Sequence, residues 1–402
     1  GLYSMKSVTE IQVKEEPLFD QRLLHKNEQN EIFLSFCNSS NSSEYIAHAL
    51  LHEHHYYNDH TRPLTDLMNL LECARQAETY VVHKYEKQPL DTRFILTEWA
   101  CNFTANFIPT TDLLNRYVSL KIVTSNTRRV KERLLSQSYN IDVYQDHLHI
   151  ANVYMSVKYM TDNAYCIVRK EKIKSYSSKA IVDFDEATRI IPERVFRRGE
   201  NNVVVNMPVF NENRIISKLA VNMDNTAYFD HAQDHYPAMV LMEAGKQNCQ
   251  LWIYKFEVGI FPVLIEMKSK FFHYAELDKD VEIISVKVSD VSENTMIFNV
   301  HLRQGGVDIA EMQYSFKVID QCRGENMDAV KDKVVEILVE NFGLNEEKVK
   351  ENNDLESLGV DSIITIEIQL DLERAFDIKI PDGDILPDFT AKDISDYIKN
   401  KG

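Results

Sequence analysis

The spacing of apolar side chains divides the chain into a long mixed part and a short helical part. Between residues 327 and 402, apolar residues recur every three or four positions, which is the spacing of one buried helix face. The residues that carry this pattern are Val330, Val334, Ile337, Leu338, Ile363, Ile366 and Leu370. We therefore predict an all-α four-helix bundle at 327–402, joined to the rest of the chain by a short linker at 323–326.

The longer part alternates one helix with several strands, and it does so twice. Helical spacing predicts helices from about Asp66 to Lys87 and from about Pro237 to Tyr254. Strand patterns follow each helix, at 118–123 and 148–159 in the first half and at 283–288 and 296–318 in the second. Such an order favours an α+β arrangement in which a curved sheet wraps around a helix, once in repeat 1–170 and once in repeat 171–322.

Two sets of matching positions indicate that these halves arose by duplication. His60 stands at the same distance before Glu72 as His231 stands before Glu243, so the numbering of the two copies is offset by 243 − 72 = 171. The segments 96–103 and 264–271 also match, at an offset of 264 − 96 = 168. We therefore expect two domains of the same fold in tandem.

The composition of the chain limits the kinds of molecule that we expect it to bind and the compartment in which we expect it. The 402 residues carry a net charge of −17, and residues 327–402 alone contribute 9 − 19 = −10. This acidity excludes nucleic-acid binding as the expected role and favours basic protein partners. No long apolar run and no signal-peptide pattern are present, so we expect a cytoplasmic protein without a membrane span. Six cysteines without a CxxC pair give no reason to expect a metal site.

A candidate attachment point lies at the start of one predicted helix of the bundle. Asp361 precedes this helix and Ser362 stands at its N-cap or in its first turn. Free N–H groups and the positive end of the helix dipole favour a phosphodiester there. An Asp-Ser pair is also an ordinary helix start, so the pattern alone leaves both interpretations open.

Histidines and acids in the duplicated part are spaced for proton transfer. A histidine just before a helix and an acid within its first two turns can face one cleft. The second copy is the richer one, and its candidate catalytic residues are Asp230, His231, Asp234, His235 and Glu243. In the first copy the candidates are His60 and Glu72, while Leu64 occupies the place of His235. Glu72 is therefore either structural or part of a composite site at the boundary between the repeats.

Residues 327–402 resemble an acyl carrier protein, because 355–363 match the attachment motif of that family. The resemblance implies that Ser362, next to Asp361, carries a covalent 4′-phosphopantetheine. It also implies two kinds of partner: a phosphopantetheinyl transferase that attaches the arm, and upstream polyketide or fatty acid synthase components that load it.

Residues from about 30 to 320 resemble the A-factor synthase (AfsA-like) family of duplicated hotdog domains. Residues 234–239 and 243–247 match the Asp-His-x-Pro-Gly-Met and Glu-Ala-x-x-Gln elements of that family, except that Ala238 replaces the glycine. The first copy lacks the proline usual after its Asp66. The resemblance implies a double hotdog fold and an acyltransferase of secondary metabolism. It would move a β-ketoacyl chain from the carrier thioester to a small-molecule acceptor such as dihydroxyacetone phosphate, towards butenolide or γ-butyrolactone products.

The resemblance also suggests roles for individual residues. Glu243 or His235 would remove a proton from the acceptor hydroxyl, and Asp230 or Asp234 would orient a histidine. N–H groups near Ala238 and Met239 would hold the oxyanion. Candidates for binding the acceptor phosphate are Arg62, Arg75 and Lys246.

Two other functions fit the same residues. A hotdog dehydratase would use a histidine to take the α-proton of a β-hydroxyacyl thioester and an acid to protonate the leaving hydroxyl. A non-catalytic module would shelter or dock a carrier-bound chain. The basic runs 128–133 and 194–198 are either solvated faces or docking surfaces for the carrier helix that begins at Ser362.

Overall fold

The duplicated part contains one continuous antiparallel sheet. The computed structural model describes residues 19–105, 107, 109, 113–178, 189–231, 233–288, 294–320 and 325–401. In the first half of these residues the strands are β1 (Leu34–Asn41), β2 (Glu44–Leu50), β3 (Arg93–Phe103), β4 (Tyr117–Val130), β5 (Arg133–Gln145) and β6 (Leu148–Met160). In the second half they are β7 (Val209–Asn211), β8 (Arg214–Lys218), β9 (Ile260–Phe271), β10 (Glu282–Lys287), β11 (Thr295–Gln304) and β12 (Val307–Asp320).

The strand order shows the duplication directly. The strands follow one another as β1-β2-β4-β5-β6-β3-β9-β12-β11-β10-β8-β7, so each repeat supplies six neighbouring strands. The repeats meet where β3 pairs with β9, with Glu98 opposite Lys270 and Trp99 opposite Ser269. These two strands contain the matching segments 96–103 and 264–271. Equivalent strands therefore lie side by side and make the two half-sheets one.

Each half-sheet wraps around one long helix. Helix α1 (Leu67–Lys84) packs against strands of the first repeat, and helix α3 (Ala238–Phe256) packs against strands of the second. Almost every residue of both helices is buried, which accounts for the dense apolar pattern of the two segments. The carboxylate of Asp66 caps α1 by accepting a hydrogen bond from the N–H of Met68 at 2.9 Å. The predicted α+β double hotdog is confirmed.

The repeats also contain elements that the sequence pattern did not predict. Strands β1, β2, β7 and β8 precede the long helices, and helix α2 (Asp162–Ser178) follows β6. Helix α2 runs across the expected boundary between residues 170 and 171. The exact division of the chain at 170, 322 and 326 stays a prediction.

The C-terminal part is all-α, as predicted. It consists of α4 (Glu325–Glu336) with a π-helical turn at Ile337–Asn341, α5 (Glu346–Lys350), α6 (Ser362–Phe376) and α7 (Ala391–Lys401). Helix α4 thus begins within the stretch expected as a linker. Buried residues of this bundle form a second core around Val334, Leu338, Ile368, Leu372 and Phe389. Within the ranges described above, no helix combines the length and the apolarity that crossing a membrane demands.

Candidate functional site

A cavity of about 800 Å³ lies between the two repeats. One side is formed by polar residues of α1, and the other by His231 and the segment 233–237 that leads into α3. The remaining wall is largely apolar and contains Leu96, Trp99, Met155, Val157, Met239 and Leu241. Among the residues that the structure describes, no group of three or more His, Cys, Asp or Glu side chains is arranged to hold a metal ion. The cavity therefore combines a polar mouth with room for an apolar chain.

In the second repeat, His235 borders this cavity and is held by a carboxylate. Its Nδ1 lies 2.8 Å from Oδ1 of Asp234. The hydroxyl of Tyr165 donates to Asp234 at 2.7 Å, and Arg169 Nε donates to it at 3.2 Å. Burial alone would raise the pKa of Asp234, but the contacts with His235, Tyr165 and Arg169 hold it well below its usual range. Asp234 is thus a carboxylate that orients the imidazole and leaves Nε2 outside the pair.

The first repeat contributes an acid and two cations to the same cavity. Glu72 Oε2 and Oε1 accept hydrogen bonds from Arg75 Nε and Nη2, both at 2.7 Å. Lys26 Nζ lies 3.5 Å from Glu72 Oε1. Burial alone would raise the pKa of Glu72, but the charges of Arg75 and Lys26 lower it to about 2. Glu72 and His235 therefore line one composite cavity from opposite repeats, which is one of the two interpretations that the sequence left open.

Glu243 lies elsewhere. Its side chain is fully buried and does not border the cavity. Oε1 lies 2.5 Å from Arg197 Nη2, and Oε2 lies 2.9 Å from Lys246 Nζ. Burial opposes ionisation of Glu243, but these two cations lower its pKa. We expected Glu243 to share a cleft with His235, but it does not. Helix α3 places the Glu243 side chain in the interior, where it forms ion pairs with Arg197 and Lys246.

The Glu72 and Glu243 clusters occupy equivalent positions in the two repeats. Glu72, Arg75 and Gln76 correspond to Glu243, Lys246 and Gln247, and Lys26 corresponds to Arg197. Their contacts correspond as well. Gln76 Oε1 accepts from the N–H of Phe33 at 2.9 Å, and Gln247 Oε1 accepts from the N–H of Val204 at 2.8 Å. The duplication has therefore produced two copies of one polar cluster at the boundary between the repeats.

Substitutions before α1 explain why only the Glu72 copy borders the large cavity. Leu64 stands where the second repeat has His235, and Asp66 stands where it has Pro237. The Asp66 carboxylate accepts a hydrogen bond from Lys246 at 2.7 Å and lies 3.0 Å from His60 Nε2. Lys246 is 1% exposed, whereas its counterpart Arg75 is 29% exposed. Next to the Glu243 cluster, the Lys246–Asp66 salt bridge thus fills the space that corresponds to the cavity next to the Glu72 cluster.

The remaining predicted site residues fall into two groups. His231 borders the cavity, whereas Asp230 and His60 do not. Asp230 instead accepts backbone hydrogen bonds from Asn27 at 2.6 Å and Glu28 at 2.8 Å. It therefore ties a segment of the first repeat to the second. Its counterpart Asp59, in the first repeat, accepts a hydrogen bond from the N–H of Gly199 in the second repeat at 2.9 Å.

Sequence reasoning missed several residues of the site. Lys26 and Arg93 lie outside the matched motifs, and Tyr165 and Arg169 belong to α2, which was not predicted. Arg169 also donates to Glu276 at 2.5 Å, so α2 fastens the His235 loop to the second repeat. The repeat offset was a usable signal for Lys26, because it pairs this residue with Arg197 in the basic run 194–198.

The start of α6 has the geometry expected of an attachment point. Asp361 Oδ1 accepts from the N–H of Ile364 at 2.8 Å and so caps the helix, and Ser362 is exposed as its first residue. The helix also exposes Ile363, Ile366 and Leu370, at 68%, 55% and 48%. A phosphodiester on Ser362 would lie at the positive end of the helix dipole, so the residues present fit a phosphopantetheine arm.

The helical bundle contacts the hotdog part through its last helix and the loop before it. Arg194 Nη2 lies 2.7 Å from Asp393 Oδ2, and Arg194 Nη1 lies 2.9 Å from Asp388 Oδ2. The hydroxyl oxygen of Tyr254 lies 2.9 Å from Asp393 Oδ1 and 2.8 Å from Asp396 Oδ2. Arg194 of the basic run 194–198 is thus a docking residue, but it contacts the region of α7 and not α6. Tyr254 lies near the C-terminal end of α3, so the whole length of this helix separates the carrier contact from Ala238 at the cavity.

Fold and site together define a double hotdog protein fused to a helical carrier domain. The model of the A-factor biosynthesis hotdog domain family (AfsA) matches residues 15–161 and 181–320. The model of the phosphopantetheine attachment site matches residues 332–398. The chain belongs to the A-factor biosynthesis hotdog family and has a C-terminal carrier domain with a covalently attached phosphopantetheine.

Curated relatives match the carrier domain. The acyl carrier protein of Chlorobium phaeovibrioides is 40% identical over 73 residues, which are 18% of this chain and 94% of that protein. The acyl carrier protein of Bdellovibrio bacteriovorus is 37% identical over 75 residues, which are 18% of this chain and 96% of that protein.

Solved structures are similar to this chain over part of its length. The 12:0-ACP thioesterase from Umbellularia californica is 7% identical, with a TM-score of 0.42, over 69% of this chain and 94% of that one. The dehydratase domain from the CurJ module of curacin polyketide synthase is 11% identical, with a TM-score of 0.43, over 73% of this chain and 98% of that one.

Proposed function

We propose that this protein is an acyltransferase that moves a β-ketoacyl group from its own carrier domain to the hydroxyl of a small phosphorylated acceptor. The observation that carries the proposal is the composite cavity, in which the His235–Asp234 pair faces the cationic Glu72 cluster beside an apolar wall. Ser362 is the proposed attachment residue. The arm, when bound there, supplies the acyl group as a thioester whose carbonyl carbon accepts a nucleophile.

His235 is the proposed general base. Because Asp234 accepts the Nδ1 proton, the lone pair of Nε2 is available to take a proton from the acceptor hydroxyl. The hydroxyl oxygen then attacks the acyl carbonyl carbon, and the proton on His235 passes to the departing thiolate. A positioned base of this kind typically contributes about 10²–10⁴ to the rate.

The first turn of α3 is the proposed site for the developing oxyanion. Ala238 and Met239 border the cavity at the N-terminal end of this helix. The helix dipole favours negative charge at that end, and the first N–H groups of a helix have no partner within it. The apolar wall beside Met239 and Leu241 suits the acyl chain.

The cations of the first repeat are the proposed binding site for the acceptor phosphate. Arg75 and Lys26 border the cavity, and Glu72 balances only one of their two charges. Of the three cations suggested by sequence, Arg75 is the one on the cavity. Lys246 is bound to Asp66 and Glu243, and Arg62 does not border the cavity. Glu72 uses Nε and Nη2 of Arg75, so the remaining N–H groups of Arg75 and the ammonium of Lys26 would hold the phosphate.

Fusion of the carrier makes donor delivery intramolecular. Tethering gives the carried chain an effective concentration on the order of millimolar at the cavity. The contacts of Arg194 and Tyr254 would set the resting position of the carrier. A phosphopantetheinyl transferase and an upstream loading enzyme would meet the exposed face of α6.

Intact-protein mass spectrometry tests this proposal. The chain is pantetheinylated, loaded with a β-ketoacyl group and incubated with and without dihydroxyacetone phosphate. Loss of the acyl mass only with the acceptor, and not in a His235→Asn variant, supports transfer. Retention of the acyl mass with the acceptor contradicts transfer and favours a holding module. Loss of one water from a β-hydroxyacyl load without any acceptor contradicts it in favour of dehydration. Ser362→Ala, the control for loading, should gain no arm.

A further inference from the structure

A second buried acid borders the cavity, and its surroundings specify where its proton lies. Glu78 is on α1, beyond Glu72, and is 2% exposed. The hydroxyl of Tyr159 donates to Glu78 Oε1. Tyr139 Oη lies 2.6 Å from Tyr159 Oη, and Gln137 Nε2 donates to Tyr139 Oη at 2.9 Å. An amide N–H can only donate, so the hydrogen bonds run from Gln137 through both tyrosines towards Glu78.

The other oxygen of Glu78 faces an acceptor. Thr79 Oγ1 lies 3.4 Å from Glu78 Oε2, and the Thr79 hydroxyl also lies 3.0 Å from the carbonyl oxygen of Arg75. A hydroxyl has one proton, and the shorter contact to the carbonyl takes it. Oε2 is therefore the oxygen on which a proton fits. Burial raises the pKa of Glu78 to about 7, although Tyr159, Arg75 and Thr79 act in the opposite direction.

Glu78 has no acidic counterpart in the second repeat. At the offset that relates Glu72 to Glu243, its counterpart in α3 is Cys249, which is fully buried. The neighbouring cavity wall is apolar: Phe94 borders the cavity, and its ring packs edge-on against Tyr159 at 5.1 Å. The carboxyl group of Glu78 thus lies beside the part of the cavity that suits an acyl chain. It occurs only in the first repeat, whose Glu72 cluster borders the cavity.

We propose that neutral Glu78 donates a hydrogen bond from Oε2 to the oxygen on C3 of the bound acyl chain, and so selects oxygenated chains over saturated ones. The inference rests on the proposed function for the presence of an acyl chain in this cavity. Without an oxygen on C3, the proton on Oε2 keeps only the long 3.4 Å contact with Thr79 Oγ1. A poorly satisfied buried donor is costly, so a saturated chain would bind more weakly.

Binding of two matched probes tests the inference without any transfer step. The probes are pantetheine amide analogues of the thioester, one with a 3-oxooctanoyl and one with an octanoyl chain. They are titrated calorimetrically into the full-length Ser362→Ala chain, so that no arm occupies the cavity. We expect the 3-oxo probe to bind about three- to tenfold more tightly, the range of one hydrogen bond. Equal binding of the two probes at pH 6 would overturn the inference.

Variants separate hydrogen bonding from packing. Glu78→Gln keeps an N–H donor and should keep the preference, whereas Glu78→Leu should abolish it. A preference that survives in Glu78→Leu contradicts the inference, and so does its loss in a stably folded Glu78→Gln. Glu193→Gln is the matched control, because Glu193 is another buried carboxyl with a pKa raised to about 7, but it contacts Asn400 and lies away from the cavity. This control should leave the preference unchanged.

The pH dependence gives a further readout. The groups that face Glu78 are Arg75 on α1, Tyr159 on β6 and Tyr139 on β5, and none of these three ionises between pH 6 and 8. The preference should therefore fall as pH rises through 7 in the parent protein and stay constant in Glu78→Gln. A pH-independent preference in both would overturn the role of the proton. If no acceptor is acylated while the probes are still discriminated, the proposed transfer fails and the inference about Glu78 stands.

Discussion

Arg197 Nη2 lies 2.5 Å from Glu243 Oε1, and neither side chain is exposed to solvent. Arg197 belongs to the segment before the second half-sheet and also donates to the carbonyl oxygen of Tyr56 in the first repeat at 2.6 Å. The pair therefore joins the two repeats in the interior. Its loss would leave a buried cation without its counter-ion.

Replacing Glu243 with alanine is expected to weaken the fold. Removing one partner of a buried ion pair typically costs about 3–5 kcal/mol. Urea denaturation monitored by circular dichroism measures the change. Glu266→Ala is the control, because Glu266 is 40% exposed and pairs with Lys268 at the surface, where such pairs contribute less than about 1 kcal/mol. Full stability together with lost acyl transfer would instead favour Glu243 as the proton acceptor.

Replacing His235 with asparagine is expected to reduce single-turnover transfer by about 10²–10⁴ while leaving stability nearly unchanged. The side chain is 26% exposed and its main partner, Asp234, keeps Tyr165 and Arg169. Rapid-quench mass spectrometry of the loaded chain measures the rate. His149→Asn, which alters an exposed histidine paired with Asp142 on the sheet, should behave like the parent. Parent-like transfer by His235→Asn would make His231 the next candidate.

Replacing Arg194 with alanine is expected to release the carrier from the hotdog part. The change removes ion pairs to Asp388 and Asp393, the second of which is 1% exposed. Small-angle X-ray scattering should then report a larger radius of gyration, and the carrier resonances in NMR spectra should narrow. Arg198→Ala removes an exposed arginine from the same basic run and serves as the control. An unchanged radius would mean that Tyr254 and Lys392 hold the carrier without Arg194.

The stability of the parent protein should contain a contribution from Glu78 that declines with rising pH. Its folded pKa of about 7 lies above the ordinary 4.5, so the folded state holds the proton more tightly. The contribution is complete below pH 4.5 and is lost as pH rises through 7, by about 3 kcal/mol in total. Glu78→Gln lacks this titration. The difference in unfolding free energy between variant and parent should therefore shift in favour of the variant from pH 5 to pH 8, and a constant difference would contradict the prediction.

Much of the fold followed from local patterns. The helices around Glu72 and Glu243 were predicted almost to their ends because their burial gives a continuous helical pattern. Ser362 was found because its motif is contiguous in sequence. Short edge strands such as β7, with three residues, have too few positions to show a period.

The composite site could not be predicted from local sequence patterns, because its residues come from both repeats. His235 and Glu243 are close neighbours in sequence, yet the cavity joins His235 to Glu72 of the other repeat. This combination of residues depends on the antiparallel pairing of β3 with β9. The pairing places the long helix of one repeat next to the loop of the other repeat. Helix α2 supplies Tyr165 and Arg169 from a segment that carried no motif.

The carrier contact has a consequence for protein engineering. Asp388, Asp393 and Asp396 lie on the loop before α7 and on α7 itself, whereas the apolar residues Ile363, Ile366 and Leu370 of α6 remain exposed to solvent. The contact with the hotdog part and the proposed recognition of α6 by loading enzymes thus use separate parts of one small domain. A transplanted carrier given aspartates at these three positions should take up the native resting place while keeping the loading specificity of its source.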